Sequence, residues 1–92
     1  MGEHGGVKRL TDLPAGGRGV VRCLKGGKDF VARMAAFGFT TGTEVAVGQN
    51  YGHGPLIVSV RDTRVALGRG EAHKVMVEES VDGTGPENRQ PG

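Results

Sequence analysis

Three histidines, one cysteine and a scatter of carboxylates are what this 92-residue chain offers to chemistry. His4 lies near the N-terminus, His53 between Gly52 and Gly54, and His73 late in the chain. None stands at a Cys-x-x-Cys or His-x-x-x-His spacing from a second ligand, and zinc demands three or four donors. His53 therefore reads as an exposed loop histidine, and no metal site is assigned. Cys23 sits in the apolar run GVVRCL with no histidine near it in sequence, which predicts a buried, structural thiol. Asp12, Glu44, Asp62, Glu71, Glu78 and Glu79 are spread over turns and strand exteriors, so no pair is set for general acid–base work. The expectation is a protein that is not an enzyme, has no catalytic residue and carries no cofactor.

Phosphate-loop chemistry fares no better. Gly16, Gly17 and Gly19 lead into a strand, whereas a dinucleotide fingerprint opens a helix. Gly27-Lys28 is followed by Asp29 where a Walker loop needs Ser or Thr, and Arg22 occupies the position of its first glycine. Arg18, Arg22, Arg61, Arg64 and Arg69 leave two readings open: a shared basic face for an acidic partner or phosphates, or dispersed charge that maintains solubility. Twelve Lys and Arg against ten Asp and Glu give a net charge of +2, and one Tyr with three Phe and no Trp offers little for stacking on bases. Nucleic acid is not the expected partner.

The elements that must position these residues follow from patterning. Ninety-two residues suffice for one domain, and one cysteine excludes an internal disulfide, which fits a reducing compartment. No apolar run approaches the ~20 residues of a spanning helix, and the first residues lack a secretory apolar core, so the chain reads as cytoplasmic. Residues 1–6 read as a flexible leader and residues 82–92, DGTGPENRQPG, as a disordered tail too poor in apolar side chains to offset its own ordering. The folded domain is then 7–81.

Within it, Thr11-Asp12 caps a short turn before Pro14, and residues 19–24 form the first strand. Residues 28–37 carry the one helical pattern, with Phe30, Met34 and Phe37 at i, i+4 and i+7. Gly38 and Phe39 fit the C′ and C″ positions of a Schellman motif. Thr41-Gly42 turns into an alternating strand at 43–49, residues 50–55 form a loop, and strands at 56–60 and 64–67 flank a hairpin turn at Asp62-Thr63. A single helical turn falls within 68–74, and 75–77 is the closing strand. The sum is a mainly β domain, a small, partly open barrel of about five strands with one short inserted helix.

Three ordered segments resemble the ferrous iron transport protein A (FeoA) family: LTDLPAGGRGVVRCL, RMAAFGFTTGTEVAV and GPLIVSVRDTRVALGRGEAHKVMV. Together they span most of residues 7–79. Phe37 and Phe39 stand where leucine is more usual in the family, and Thr41 where proline often precedes the turn glycine. The resemblance implies an SH3-like barrel acting in bacterial ferrous iron uptake. It also implies a partner, the membrane permease FeoB, whose cytoplasmic portion carries a G domain. With these the resemblance implies iron transport, protein–protein interaction and transition metal ion binding. The alternatives are an SH3-like regulatory domain of the kind that ends DtxR-type repressors, a nucleic-acid-binding small barrel, and direct metal sensing through His53 and His73. The expected partner surface is Arg33, Met34, Phe37, Phe39 and Thr40 at the helix exit, with Tyr51 and His53 of the loop as a second candidate. Phe30 and Met34 are expected to be buried and Phe37 or Phe39 partly exposed. Phe39→Ala or Arg33→Glu is expected to weaken permease binding without unfolding the domain.

Overall fold

Alternating valines set the strands, and the computed structural model, which describes residues 6–80, shows them pairing into one sheet. The proposed leader, apart from Gly6, and the proposed tail lie outside the described residues. Strand β1 (Val7–Arg9) is followed by a 3-10 turn (Leu10–Asp12), β2 (Arg18–Leu24), helix α1 (Lys28–Ala36), β3 (Glu44–Gln49), β4 (Leu56–Val60), β5 (Thr63–Leu67), the short helix α2 (Arg69–Ala72) and β6 (Val75–Glu79). All pairings are antiparallel, in the order β1-β6-β2-β3-β4-β5. The expected mainly β architecture with one inserted helix is present, with six strands rather than five. The additional strand is β1, whose three residues carry no alternation. It forms because β6 offers it a partner, with Val7 opposite Glu78 and Arg9 opposite Met76.

Inward-facing Val45, Val47, Val58, Val60, Val75 and Val77 meet Leu10, Leu13, Leu56, Leu67, Phe30, Met34 and Phe39 in a single core. Register shifts interrupt β2 between Val21 and Cys23 and β3 between Val47 and Gln49. Such bulges bend a strand and increase its twist, which lets the sheet wrap around this core. The first bulge corrects the expectation for Cys23. Val21 is buried, but the extra residue breaks the alternation, so Arg22 and Cys23 both face solvent. The β4–β5 turn also differs. It is Arg61-Asp62, both with positive φ (50° and 67°), so Thr63 pairs with Val60 as a two-residue loop requires.

Helix α1 ends as its sequence predicts. The Gly38 N–H donates to Ala35 O and the Phe39 N–H to Met34 O, each at 2.9 Å, which is the Schellman pattern. Gly38 has φ +101°, and a Cβ there would lie 3.2 Å from Val60 Cγ2. Backbone strain and crowding against β4 thus both require glycine. Gly38→Ala is expected to destabilise the domain by about 1–3 kcal/mol, read as a lower urea midpoint at unchanged slope.

Candidate functional site

The Schellman closure separates the residues of the helix exit into two groups. Met34 and Phe39 are fully buried (0% exposed), so neither forms the outer surface assigned to them from sequence. They sit beneath it: Met34 points inward from the stripe, and the reversal at Gly38 drives Phe39 into the barrel. Phe37, at the helix C-cap, lies past the stripe and is 43% exposed. Arg33 is exposed, donates from Nη2 to Glu71 Oε2 at 2.7 Å and lies over the Phe30 ring at 5.8 Å. Thr40 is half-buried, with its hydroxyl 2.8 Å from that of Thr43. The surface that remains is Phe37 flanked by Arg33 and Thr40.

A further residue joins it. A Cβ at Gly38 would lie 3.4 Å from Arg61 Cδ, so the tip of the β4–β5 hairpin stands beside the helix exit. Arg61 is exposed and pairs with no carboxylate among the described residues. Nothing in the spacing of residues 37 and 61 announces this meeting; it follows from β4 packing against the helix end. The outward side of α1 is also unusual. Val31, Ala32, Ala35 and Ala36 are exposed, and Lys28, Asp29 and Arg33 are the helix's only charged residues. A helix with one buried stripe ordinarily puts polar residues opposite it. Here the opposite side is small and apolar.

The second candidate, the 50–55 loop, is held by Asn50. Its amide donates to Thr11 O (3.1 Å) and Leu13 O (2.8 Å), while its Oδ1 accepts from Gly52 N–H (3.0 Å) and Arg69 Nη2 (2.8 Å). Arg69 Nε also donates to Gly54 O at 2.9 Å. Tyr51, 70% exposed, and His53, also exposed, therefore stand on a fixed loop. Sequence reasoning missed Asn50 and Arg69; the Asn-Tyr-Gly run, which permits an Asx turn, was the one local signal. Helix α2 holds both candidate surfaces, the loop through Arg69 and α1 through Glu71.

The five arginines do not act as one face. Arg18 pairs with Glu44 (3.8 Å), Arg22 with Glu78 (2.7 Å from Nε), and Arg69 with the loop, while Arg61 and Arg64 lie at the hairpin and on β5. Among the described residues no three His, Cys, Asp or Glu side chains gather as metal ligands. His73 is engaged otherwise: Arg9 Nη1 lies 2.8 Å from its Nε2 and Thr11 Oγ1 3.1 Å from its Nδ1. Because Arg can only donate, Nε2 is the acceptor and Nδ1 carries the hydrogen.

Comparison with known proteins gives concordant matches. The FeoA domain profile matches residues 8–79. A Methanocaldococcus jannaschii protein named as an Fe(2+) transport protein A is 33% identical over 64 residues, covering 70% of this chain and 77% of its own. The crystal structure of an iron uptake regulatory protein, FeoA, superposes with a TM-score of 0.78 at 32% identity, covering 82% of this chain and all of that one. Stenotrophomonas maltophilia FeoA, described as a prokaryotic SH3 domain protein and solved with zinc, gives 0.68 at 31% identity over 78% and 94%.

The burial pattern makes the two phenylalanines opposites. Phe39→Ala should cost about 3–5 kcal/mol in urea denaturation, and Phe37→Ala under about 1 kcal/mol. Phe39→Ala is therefore not the clean binding probe that the sequence suggested. Asn50→Ala should cost about 1–3 kcal/mol and speed hydrogen exchange at the Gly52 amide.

Proposed function

The chain belongs to the FeoA family, and we propose that it serves ferrous iron uptake as a small accessory protein that binds the cytoplasmic portion of the membrane permease FeoB and modulates it. The match of the FeoA domain across residues 8–79 carries this reading, and the relative named for Fe(2+) transport agrees with it. The protein works, on this reading, by contact with its partner and not by a reaction of its own.

The docking face is the helix exit. Phe37 supplies an exposed aromatic ring on a backbone fixed by the two Schellman bonds, so little backbone freedom is lost on binding. Arg61 and Arg33 stand around it as donors to an acidic rim. Aromatic residues and arginines are the types that concentrate binding energy at protein interfaces. The apolar outer side of α1 extends the face. Tyr51 and His53 form the secondary face, at the fixed loop. Met34 and Phe39 contribute by holding the exit in shape.

Titration calorimetry with the purified cytoplasmic portion of the permease tests both levels. Wild type should bind, and Phe37→Ala and Arg61→Glu should each weaken binding about tenfold or more with unchanged circular dichroism. Wild-type affinity in Phe37→Ala removes the helix exit as the docking face. Absence of binding by the wild-type chain removes the partnership itself.

A further inference from the structure

A second surface collects charge that the helix exit does not use. The edge strand β1, the residue that follows β2, and the turn between α2 and β6 enclose an open cleft of about 590 Å³. Lys8, Arg9, Lys25 and Lys74 line it together with one carboxylate, Asp12, and His73, with Val7 and Met76 as an apolar wall. These cations come from three separate stretches of sequence, and the backbone brings them together. The Lys25 N–H donates to Lys74 O at 2.8 Å, and Arg9 lies opposite Met76 across the β1–β6 pairing.

The charges are not balanced within the cleft. Lys8 is matched by Glu79 at 2.9 Å. Arg9 is shared between Asp12, 3.6 Å away, and His73. Asp12 is further occupied by the Arg9 backbone N–H, which its Oδ2 accepts at 3.1 Å. Lys25 and Lys74 pair with no carboxylate among the described residues. Lys74 is instead oriented by Phe30, its Nζ lying 5.3 Å from the ring centre.

We propose that this cleft binds a soluble, phosphate-bearing small molecule, with Lys25 and Lys74 meeting the phosphate. Two ammonium groups without carboxylate partners complement an anion of more than one charge, and lysine serves phosphate as a point charge. Arg9, held in place by His73, presents its remaining donors from the strand side. Val7 and Met76 offer apolar contact to the uncharged body of the ligand. The missing glycine-loop motifs exclude phosphate-loop architecture, not an anion site made of side chains. The proposal is independent of the permease reading, since it uses a different surface and a different ligand.

The test is a titration of the isotope-labelled full chain with sodium pyrophosphate at low salt, followed by amide chemical shifts. Saturable shifts centred on Lys8, Arg9, Lys25 and Lys74 are expected. Lys25→Glu should weaken binding about tenfold, whereas Arg64→Glu, which changes net charge equally from strand β5, should leave it unchanged. Retained spectral dispersion shows that both variants are folded. Non-saturating shifts, or equal weakening by the two variants, overturn the site. Cosedimentation with phosphatidylglycerol vesicles without saturable pyrophosphate binding also overturns it, because the ligand is then a membrane surface.

Discussion

Met34 O accepts the Phe39 N–H, and the reversal this bond closes decides where two aromatic side chains go. A nine-residue helix is too short to be stable by itself in water, so α1 depends on what it packs against. Phe30 and Met34 anchor it from above, and Phe39, returned by the left-handed turn at Gly38, anchors it from beyond its end. Burying one such aromatic ring contributes about 1.5–3 kcal/mol. The same reversal leaves Phe37 outside. The aromatic ring offered to a partner and the aromatic ring that secures the fold are two residues apart and are assigned their roles by one glycine.

Stability in this protein comes from the apolar core, because the ion pairs are arranged on its outside. Arg18–Glu44, Arg22–Glu78, Lys8–Glu79 and Arg33–Glu71 all join partly exposed side chains, and such pairs contribute roughly 0–1 kcal/mol each. No polar or charged residue is buried among the described residues. The pairs do more for shape than for energy: three of them link neighbouring strands, and Arg33–Glu71 links the two helices. The sheet's edges are protected by similar means. On β1 the Arg9 N–H is covered by Asp12, and the strand is only three residues long, both of which discourage pairing with another chain.

Where local chemistry decides the structure, the sequence could be read. The helix and its exit were legible because periodicity, Gly38 and Phe39 all act within a few residues of each other. Strands β3 and β4 were legible because their valines alternate. Strand β1 was not, since Val7-Lys8-Arg9 becomes a strand only when β6 lies beside it. Cys23 was misread because a bulge reverses the alternation, and a bulge leaves no mark in the composition of GVVRCL. The hairpin was displaced by one residue because Arg61 takes a positive φ that its type disfavours, and the β4–β5 register outweighs that preference. In the candidate site, Arg33 is exposed and Thr40 half-buried, while Phe37, which the periodicity put on the apolar stripe, falls past the helix end at its C-cap and is exposed. Met34 is buried as its place on the stripe led one to expect, and that burial takes it off the partner surface to which it was also assigned. The proximity of Arg61, and three of the four bonds of Asn50, depend on contacts between distant segments; only the bond from Gly52, an Asx turn, had a local signal.

The strand order has a consequence in time. Strand β6 is the last of the described strands to be made, yet it lies between β1 and β2, the first two. Lys8 and Glu79, which it brings together, are 71 positions apart. The run from β2 through β5 can pair in chain order, β2 with β3 across the intervening helix α1 and β3 to β5 across short loops. Strand β1 must wait until every element between it and β6 has been made before its partner exists. Contacts of such long sequence separation slow folding, and because Val75 and Val77 of β6 share one core with Phe30, Met34 and Phe39, the helix exit, the closed sheet and the basic cleft are completed by the same docking of β6.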